Sequence, residues 1–374
     1  MPPLHVAHVV SQLQPAGVEV WLGRILPLFK KEEFCFTIFV EKLAKTELEA
    51  EIARHATVHL LPMKIKKRPF VPTFANTLTE LGLDAVHNHL PFKPEILLAA
   101  ELANVPVRIA HSHNDLAEQD RQVTSLKAIL RRLFPHRLHK KKSRGATTFV
   151  GCSQGALTSL YGKVEGSIIP SGIPIDPSLA IPDDDFSESF SKEWNLPTDK
   201  KIIGHVGRFV LQKNHSLFLN IAIELLKRRD DLHFVFVGEG PLQNEIRQKI
   251  DHSGLGDHFT FVGKQKEVLA IMATVFDLFL FPSLFEGFGV VLIEAQLAGL
   301  PIVASETIPK TTVGVTDLFQ WIDLKCSPAL WADAVEAGLL TERPSPYTTA
   351  PMLMNTPMDI LYGKNLFEKL YRAS

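Results

Sequence analysis

Short runs of apolar and β-branched residues recur along this chain, separated by stretches long enough to hold a helix. Residues 4–10, 34–40, 84–88, 106–111 and 147–151 read as strands in the first half. Alternation of such strands with helical stretches predicts a parallel sheet with crossover helices. Between residues 168 and 185 the pattern lapses into Pro, Ser, Gly and Asp, a breaker-dense stretch that reads as a connection between domains. The rhythm then restarts, with strands at 201–206, 232–237, 258–262, 277–281 and 301–304 and helices at 215–229, 241–251, 266–273 and 290–298. Near the C-terminus, apolar residues at 360, 361, 367 and 370 form the stripe of a packed helix.

A length of 374 residues exceeds one ordinary core and agrees with two α/β domains of Rossmann-like type. Lys and Arg total 40 against 41 Asp and Glu, so the net charge of −1 supplies no field for gripping nucleic acid, and any electrostatic role is local. Three widely spaced cysteines, Cys35, Cys152 and Cys326, make neither a disulfide framework nor a zinc motif, which suits a cytoplasmic protein. The first ten residues lack the basic flank and apolar length of a signal peptide or membrane span.

Candidate chemistry concentrates in the second half. Across residues 281–295 a strand ends near Pro282, a Gly-containing loop follows, and a helix starts near Val290. In an open parallel sheet ligands bind beyond the carboxyl ends of strands, and backbone N–H groups at a helix N-terminus hold phosphate or sugar oxygens. Glu286 falls in that loop and Glu294 in the helix behind it. A second loop, residues 204–214, carries Arg208 and Lys213 at the carboxyl end of strand 201–206. Breaking a sugar–phosphate bond develops negative charge on the departing diphosphate, and fixed cations in a water-poor site stabilise it. The planar fork of Arg and the point charge of Lys suit that task. Singly, such groups are ordinary solvated charges; together they outline a nucleotide-sugar site. Gly238-Glu239-Gly240 lacks the third glycine of a dinucleotide fingerprint, and Pro241 suits a first helical position, so the segment reads as a tight strand-to-helix turn.

The order Gly207-Arg208, Lys213, Gly238-Glu239-Gly240-Pro241, Phe261-Val262-Gly263 and Glu286 to Glu294 resembles the family 4 retaining glycosyltransferases over residues 200–305. The two glutamates match that family's hallmark spacing. The resemblance implies the GT-B architecture, two Rossmann-like domains facing across a cleft. Residues 1–172 would form the acceptor side, completed by a C-terminal helix within 356–374 that crosses back, and residues 173–355 the donor side. It also implies that Glu286 contacts the donor sugar, Glu294 the ribose, and Arg208 and Lys213 the diphosphate. The backbone of Phe288 and Gly289 would approach sugar or phosphate oxygens, and the base would lie near Val262. In the first domain, Ala16-Gly17-Val18-Glu19 resembles the family's Gly-containing loop, with Ala16 in place of one glycine and Gly17 as the close-approach position. His113, in His111-Ser112-His113, aligns with the family's strand-end histidine near the reaction centre.

The resulting expectation is transfer from a UDP- or GDP-linked sugar to a glycan, lipid-linked or small-molecule acceptor, in cell-surface polysaccharide or glycoconjugate synthesis. No metal or other cofactor is expected, because the two cations take the charge-neutralising part. Retention would proceed by front-face substitution, since a glycosidase-like double displacement needs a second carboxyl group nearby. Two other readings exist. The pairs His87-Asn88-His89 and His111-Ser112-His113 end predicted strands and could ligate a metal in a hydrolase, although no H-E-x-x-H element accompanies them. A nucleotide-sugar-binding protein without turnover would show the same donor motifs. Asp183-Asp184-Asp185 contains a formal D-x-D but follows no strand, and reads as a solvated turn. Basic residues within 130–144, interleaved with Leu130, Leu133 and Phe134, read either as the solvated face of a crossover helix or as a peripheral contact with an anionic membrane at its inner face.

Overall fold

A computed structural model describes residues 2–15, 17–65, 67–90, 92–115 and 144–373. The chain divides into two compact units, Met1–Pro174 with Asp359–Ser374, and Ile175–Met358. The sequence reading places these connections at 172/173 and 355/356.

In the first unit seven strands form one parallel sheet: β1 (Leu4–Val10), β2 (Phe34–Val40), β3 (Thr57–Leu60), β4 (Ala85–Asn88), β5 (Val107–Ser112), β6 (Thr148–Gly151) and β7 (Ser167–Ile168). Their order is β3-β2-β1-β4-β5-β6-β7. The sequence pattern missed β3 and β7. The first is an edge strand with exposed ends and the second is two residues long, so neither carries a buried apolar run. The central strands are buried because helices cover both faces. Val6 and Val10 point to the face packed by Trp21, Leu22 and Phe367, while Ala7 and Val9 point to the face packed by Phe74 and Ile96.

The helix Ile360–Tyr371 completes this unit, so the return of the C-terminus is a property of the fold. Asp359 caps it by accepting from the Leu361 N–H at 2.9 Å. The Ile360 N–H donates to the Ile173 carbonyl at 2.8 Å. Phe367 packs on Trp21, and Tyr371 packs on Phe29 and Phe34.

The second unit holds a six-stranded parallel sheet of β8 (Lys201–Val206), β9 (Leu232–Val237), β10 (Phe259–Gly263), β11 (Leu278–Phe281), β12 (Ile302–Ser305) and β13 (Phe319–Ile322), in the order β10-β9-β8-β11-β12-β13. β13 also escaped the sequence pattern, being an edge strand half-buried at every position. The helix after β9 starts at Gln243, so Pro241 is not its first residue. The Leu242 N–H donates instead to the Phe209 carbonyl at 3.0 Å, which holds the chain in a turn against the loop after β8. Asp183, Asp184 and Asp185 are exposed ahead of the helix Phe186–Glu193.

Both sheets reverse their strand order beside their first strand, at β1/β4 and at β8/β11. The carboxyl ends of strands at such a switch point are where open α/β sheets bind ligands. Of the basic stretch 130–144 only Arg144 lies among the described residues, so the membrane-contact reading falls outside them. No helix among the described residues is long and apolar enough to cross a membrane.

Candidate active site

Two loops of the second unit leave its sheet at the β8/β11 switch point, residues 207–214 and 282–289. The Leu284 N–H donates to the Gln212 carbonyl at 2.8 Å and ties one loop to the other. Beneath them the Gly207 N–H donates to the Val237 carbonyl at 3.0 Å and the Phe209 N–H to the Glu239 carbonyl at 3.0 Å. A Cβ on Gly238 would stand 2.2 Å from the Gly207 carbonyl oxygen, and one on Gly240 2.6 Å from the Phe209 backbone. Close approach of one backbone to another therefore accounts for the Gly-Glu-Gly segment without a dinucleotide.

Glu286 is only 8% exposed, and both of its oxygens are held. Lys213 Nζ donates to Oε1 at 2.7 Å, and Gln212 Nε2 donates to Oε2 at 3.2 Å and to the Phe285 carbonyl at 2.9 Å. The Lys213 stem lies over Gly207, and its Nζ sits 4.5 Å from the centre of the Phe281 ring. A charge pair this enclosed is screened little by solvent, and it presents a fixed dipole to whatever the loops bind. Gln212 is a partner of Glu286 that sequence reasoning missed, because an uncharged loop amide beside a lysine carries no signal of its own.

Gly289 takes φ +84° and caps the helix Val290–Leu297 without any side-chain hydrogen bond. A left-handed backbone at that point is open to glycine at little cost. It lets the loop turn directly into a helix N-terminus of the kind that binds anions. Phe288 is buried beside it, Glu294 is half-buried in the helix, and Arg208 is exposed on the loop after β8. Arg208, Lys213, Glu286, Phe288, Gly289 and Glu294 thus lie on the two loops or the helix they lead into. Val262 differs: its side chain is buried in the apolar core, and its carbonyl accepts from Gln265 Nε2 at 2.6 Å.

The two remaining predicted residues belong to the first unit. Gly17 opens the helix Gly17–Ile25, where a Cβ would meet no protein atom within 4 Å; Ala16 lies outside the described residues. His113 joins a buried cluster far larger than its motif suggests. His8 Nδ1 bonds His89 Nε2 at 2.9 Å, and His89 Nδ1 bonds His113 Nε2 at 2.8 Å. In a parallel chain, the Tyr371 hydroxyl bonds His87 Nδ1 at 2.8 Å, and His87 Nε2 bonds His111 Nδ1 at 2.9 Å. Burial holds all five imidazoles below the ordinary histidine range, His8 and His113 at about 3; charge on neighbouring imidazoles lowers His87, His89 and His111 further. Sequence reading named the two H-x-H pairs but not His8 or Tyr371. His8 pairs with His87 in the β1–β4 register, a relation invisible within either strand alone.

Two Rossmann-ordered parallel sheets, one bearing a fixed Lys–Glu pair at its switch point, define a chain of the GT-B glycosyltransferase fold. Crystal structures agree: Anabaena HepE in complex with UDP-glucose matches 99% of this chain and 100% of its own with a TM-score of 0.78 at 16% identity. WaaG, a glycosyltransferase involved in lipopolysaccharide biosynthesis, matches 99% of this chain and 100% of its own with a TM-score of 0.72 at 16% identity. At such identities the likeness is one of fold. Residues 186–343 match the family Glycosyl transferases group 1. The chain is also 30% identical over 349 residues to EpsF of Bacillus subtilis (strain 168), a protein named as a glycosyltransferase, covering 91% of this chain and 88% of EpsF. CapH of Staphylococcus aureus, a capsular polysaccharide biosynthesis glycosyltransferase, is 25% identical over 346 residues, 89% of this chain and 90% of CapH. The chain belongs to the group 1 glycosyltransferases, and the hydrolase reading of the H-x-H pairs gives way to that membership.

Proposed function

We propose that this glycosyltransferase moves a sugar from a UDP- or GDP-linked donor to a glycan, lipid-linked or small-molecule acceptor in cell-surface polysaccharide or glycoconjugate synthesis, with the retention of configuration that marks family 4. The observation that carries the reading is the Lys213–Glu286–Gln212 arrangement at the β8/β11 switch point. The UDP-glucose bound by HepE and the polysaccharide role in the name of CapH favour the donor and the pathway.

In this reading the bond between the sugar's anomeric carbon and the phosphate oxygen breaks, and its electron pair leaves with the diphosphate. Arg208, Lys213 and the N–H groups at Phe288 and Gly289 stabilise that charge, which leaves no need for a metal ion. The acceptor oxygen bonds the same face of the anomeric carbon and gives up its proton to the leaving phosphate. Glu286, with both oxygens engaged, acts as a fixed anion beside a carbon that gains positive character, rather than as a nucleophile. Glu294 grips the ribose and the base lies near Val262; Gly17 and His113 are the candidate residues of the first unit.

The test is nucleotide release from a panel of UDP- and GDP-sugars with acceptor present, in chelator, followed by NMR of the product's anomeric centre. Turnover in chelator with retained configuration is expected. Loss of activity restored by manganese would overturn the metal-free mechanism, an inverted product would overturn retention, and donor binding without turnover would leave a binding protein.

A further inference from the structure

The geometry points to a transition-metal site in the first unit, in which His89 Nδ1, His111 Nε2 and His113 Nε2 coordinate a zinc-class divalent ion and leave a fourth position for water or an anion. One nitrogen from each of these three residues lies within 4.8 Å of one from each of the others. A tetrahedral zinc with bonds of about 2.0–2.1 Å needs its ligand nitrogens roughly 3.4 Å apart, so ring rotations of small amplitude suffice.

The hydrogen bonds single out those atoms. His111 Nε2 is buried and has no hydrogen-bond partner among the described residues, an expensive condition that a metal bond relieves. His89 Nδ1 and His113 Nε2 already face each other at 2.8 Å, and a metal takes the place of the proton they share. Behind two of the three ligands the other nitrogens have receivers in place: His111 Nδ1 meets His87 Nε2, His87 Nδ1 meets the Tyr371 hydroxyl, and His89 Nε2 meets His8 Nδ1. Metal-bound histidines characteristically donate their second N–H to such a partner, which fixes tautomer and ring orientation. Bookkeeping closes as well. Each of the five neutral imidazoles carries one proton with or without the metal, so binding needs only a change of tautomer. Trp21 and Phe367 pack against His111 and supply the apolar surround, and His113, just past the end of β5, is the one ligand of the three that is not fully buried.

An alternative trio, His8, His87 and His89, meets the same distance limit. It is wholly buried and would have to draw on His8 Nε2 or break the two chains that orient the rings. The site shares His113 with the glycosyl-transfer reading but is tested by metal binding rather than by turnover, so the two readings stand or fall separately.

The experiment titrates tag-free, chelator-stripped full-length protein with cobalt(II) and then displaces it with zinc(II). One equivalent should produce the intense visible absorption of tetrahedral cobalt, and zinc should abolish it. His113→Asn, which alters only the half-buried edge of the cluster, should lose the band while keeping its thermal melt. Tyr371→Phe, which removes the acceptor at the end of the outer chain, should weaken zinc binding roughly ten- to hundredfold. Absence of the band in folded wild-type protein, or its full retention in His113→Asn, would overturn the assignment.

Discussion

Glu286 and Glu294 differ in what holds them, and so in how they should fail. Glu286→Gln removes the charge paired with Lys213 and frees that ammonium within a nearly closed pocket of protein. On the proposed function turnover should fall more than donor affinity, since the sugar carbon assigned to Glu286 gains charge only in the transition state. Glu294→Gln should mainly weaken donor binding, by roughly 1.5–3 kcal/mol, the worth of a charge-assisted hydrogen bond. Nucleotide titration by calorimetry beside steady-state rates separates the two, and near-normal values for both variants would remove the pair from the site. Gln212→Leu keeps every charge yet releases one Glu286 oxygen; it should lower turnover with little change in melting temperature. A second residue-scale test concerns His215. It is buried against Phe209 with ring centres 4.1 Å apart, both its nitrogens lack partners among the described residues, and burial lowers its pKa to about 3. Its folded-state pKa lies below the unfolded value, so it adds no pH-dependent cost above about pH 6.5. As pH falls toward 3 the unfolded chain binds a proton the folded chain refuses, costing up to about 1.4 kcal/mol per pH unit. His215→Phe should therefore melt no lower than wild type at pH 7.5 and visibly higher at pH 5. A lower melting temperature at both would show that the imidazole is satisfied by water.

The candidate elements are loops whose shape rests on glycines. Gly289→Ala places a Cβ on a left-handed residue and 3.3 Å from Leu292 Cδ1. A cost of about 1–2 kcal/mol follows from the backbone alone. Because the strain lies at the start of the helix Val290–Leu297, donor affinity should fall with it. Gly238→Ala is the more severe change, since the Gly207 carbonyl it would strike belongs to the loop that carries Arg208 and Lys213. Urea denaturation should show the larger loss for Gly238→Ala, and nucleotide titration a loss of donor affinity in both. An Ala at 238 with unchanged stability would mean that the two loops are not held together as described. The element-scale pattern also explains which strands were legible. β1, β2, β8 and β9 are central and buried almost throughout, whereas β3, β7 and β13 lie at sheet edges without a fully buried residue; β10 is an edge strand as well, but it keeps Phe259 and Val262 buried and was legible. An edge strand is made by its neighbour's hydrogen bonds more than by its own side chains.

At the scale of the whole molecule the C-terminal helix belongs to the first unit, although the second unit lies between them in sequence. Deleting residues 356–374 removes Phe367 and Tyr371 from the core face of β1 and β4. Each buried aromatic lost costs about 3–5 kcal/mol, against a domain's whole stability of about 5–15 kcal/mol. Hydrogen exchange should then show lost protection in β1, β4 and β5 with β8–β11 still protected; an unchanged pattern would contradict the packing described. The candidate loops were legible because their pattern is local: strand, glycine-bearing loop and helix follow one another within fifteen residues, and the charges are named by their own side chains. Apolar periodicity likewise determined two parallel α/β sheets, since burial on both faces leaves its mark on each strand separately. What joins Lys213 and Gln212 to Glu286, more than seventy residues on, was not legible, because it depends on β8 and β11 lying side by side. The histidine cluster was less legible still. Five imidazoles meet because β1, β4 and β5 are adjacent and in a register that sends their alternate residues to one face, under a helix that returns from the far end of the chain. Sequence alone determined which segments are buried and which carry charge; only the tertiary structure decided which of them touch, because strand adjacency and register are set by the packing of the entire sheet.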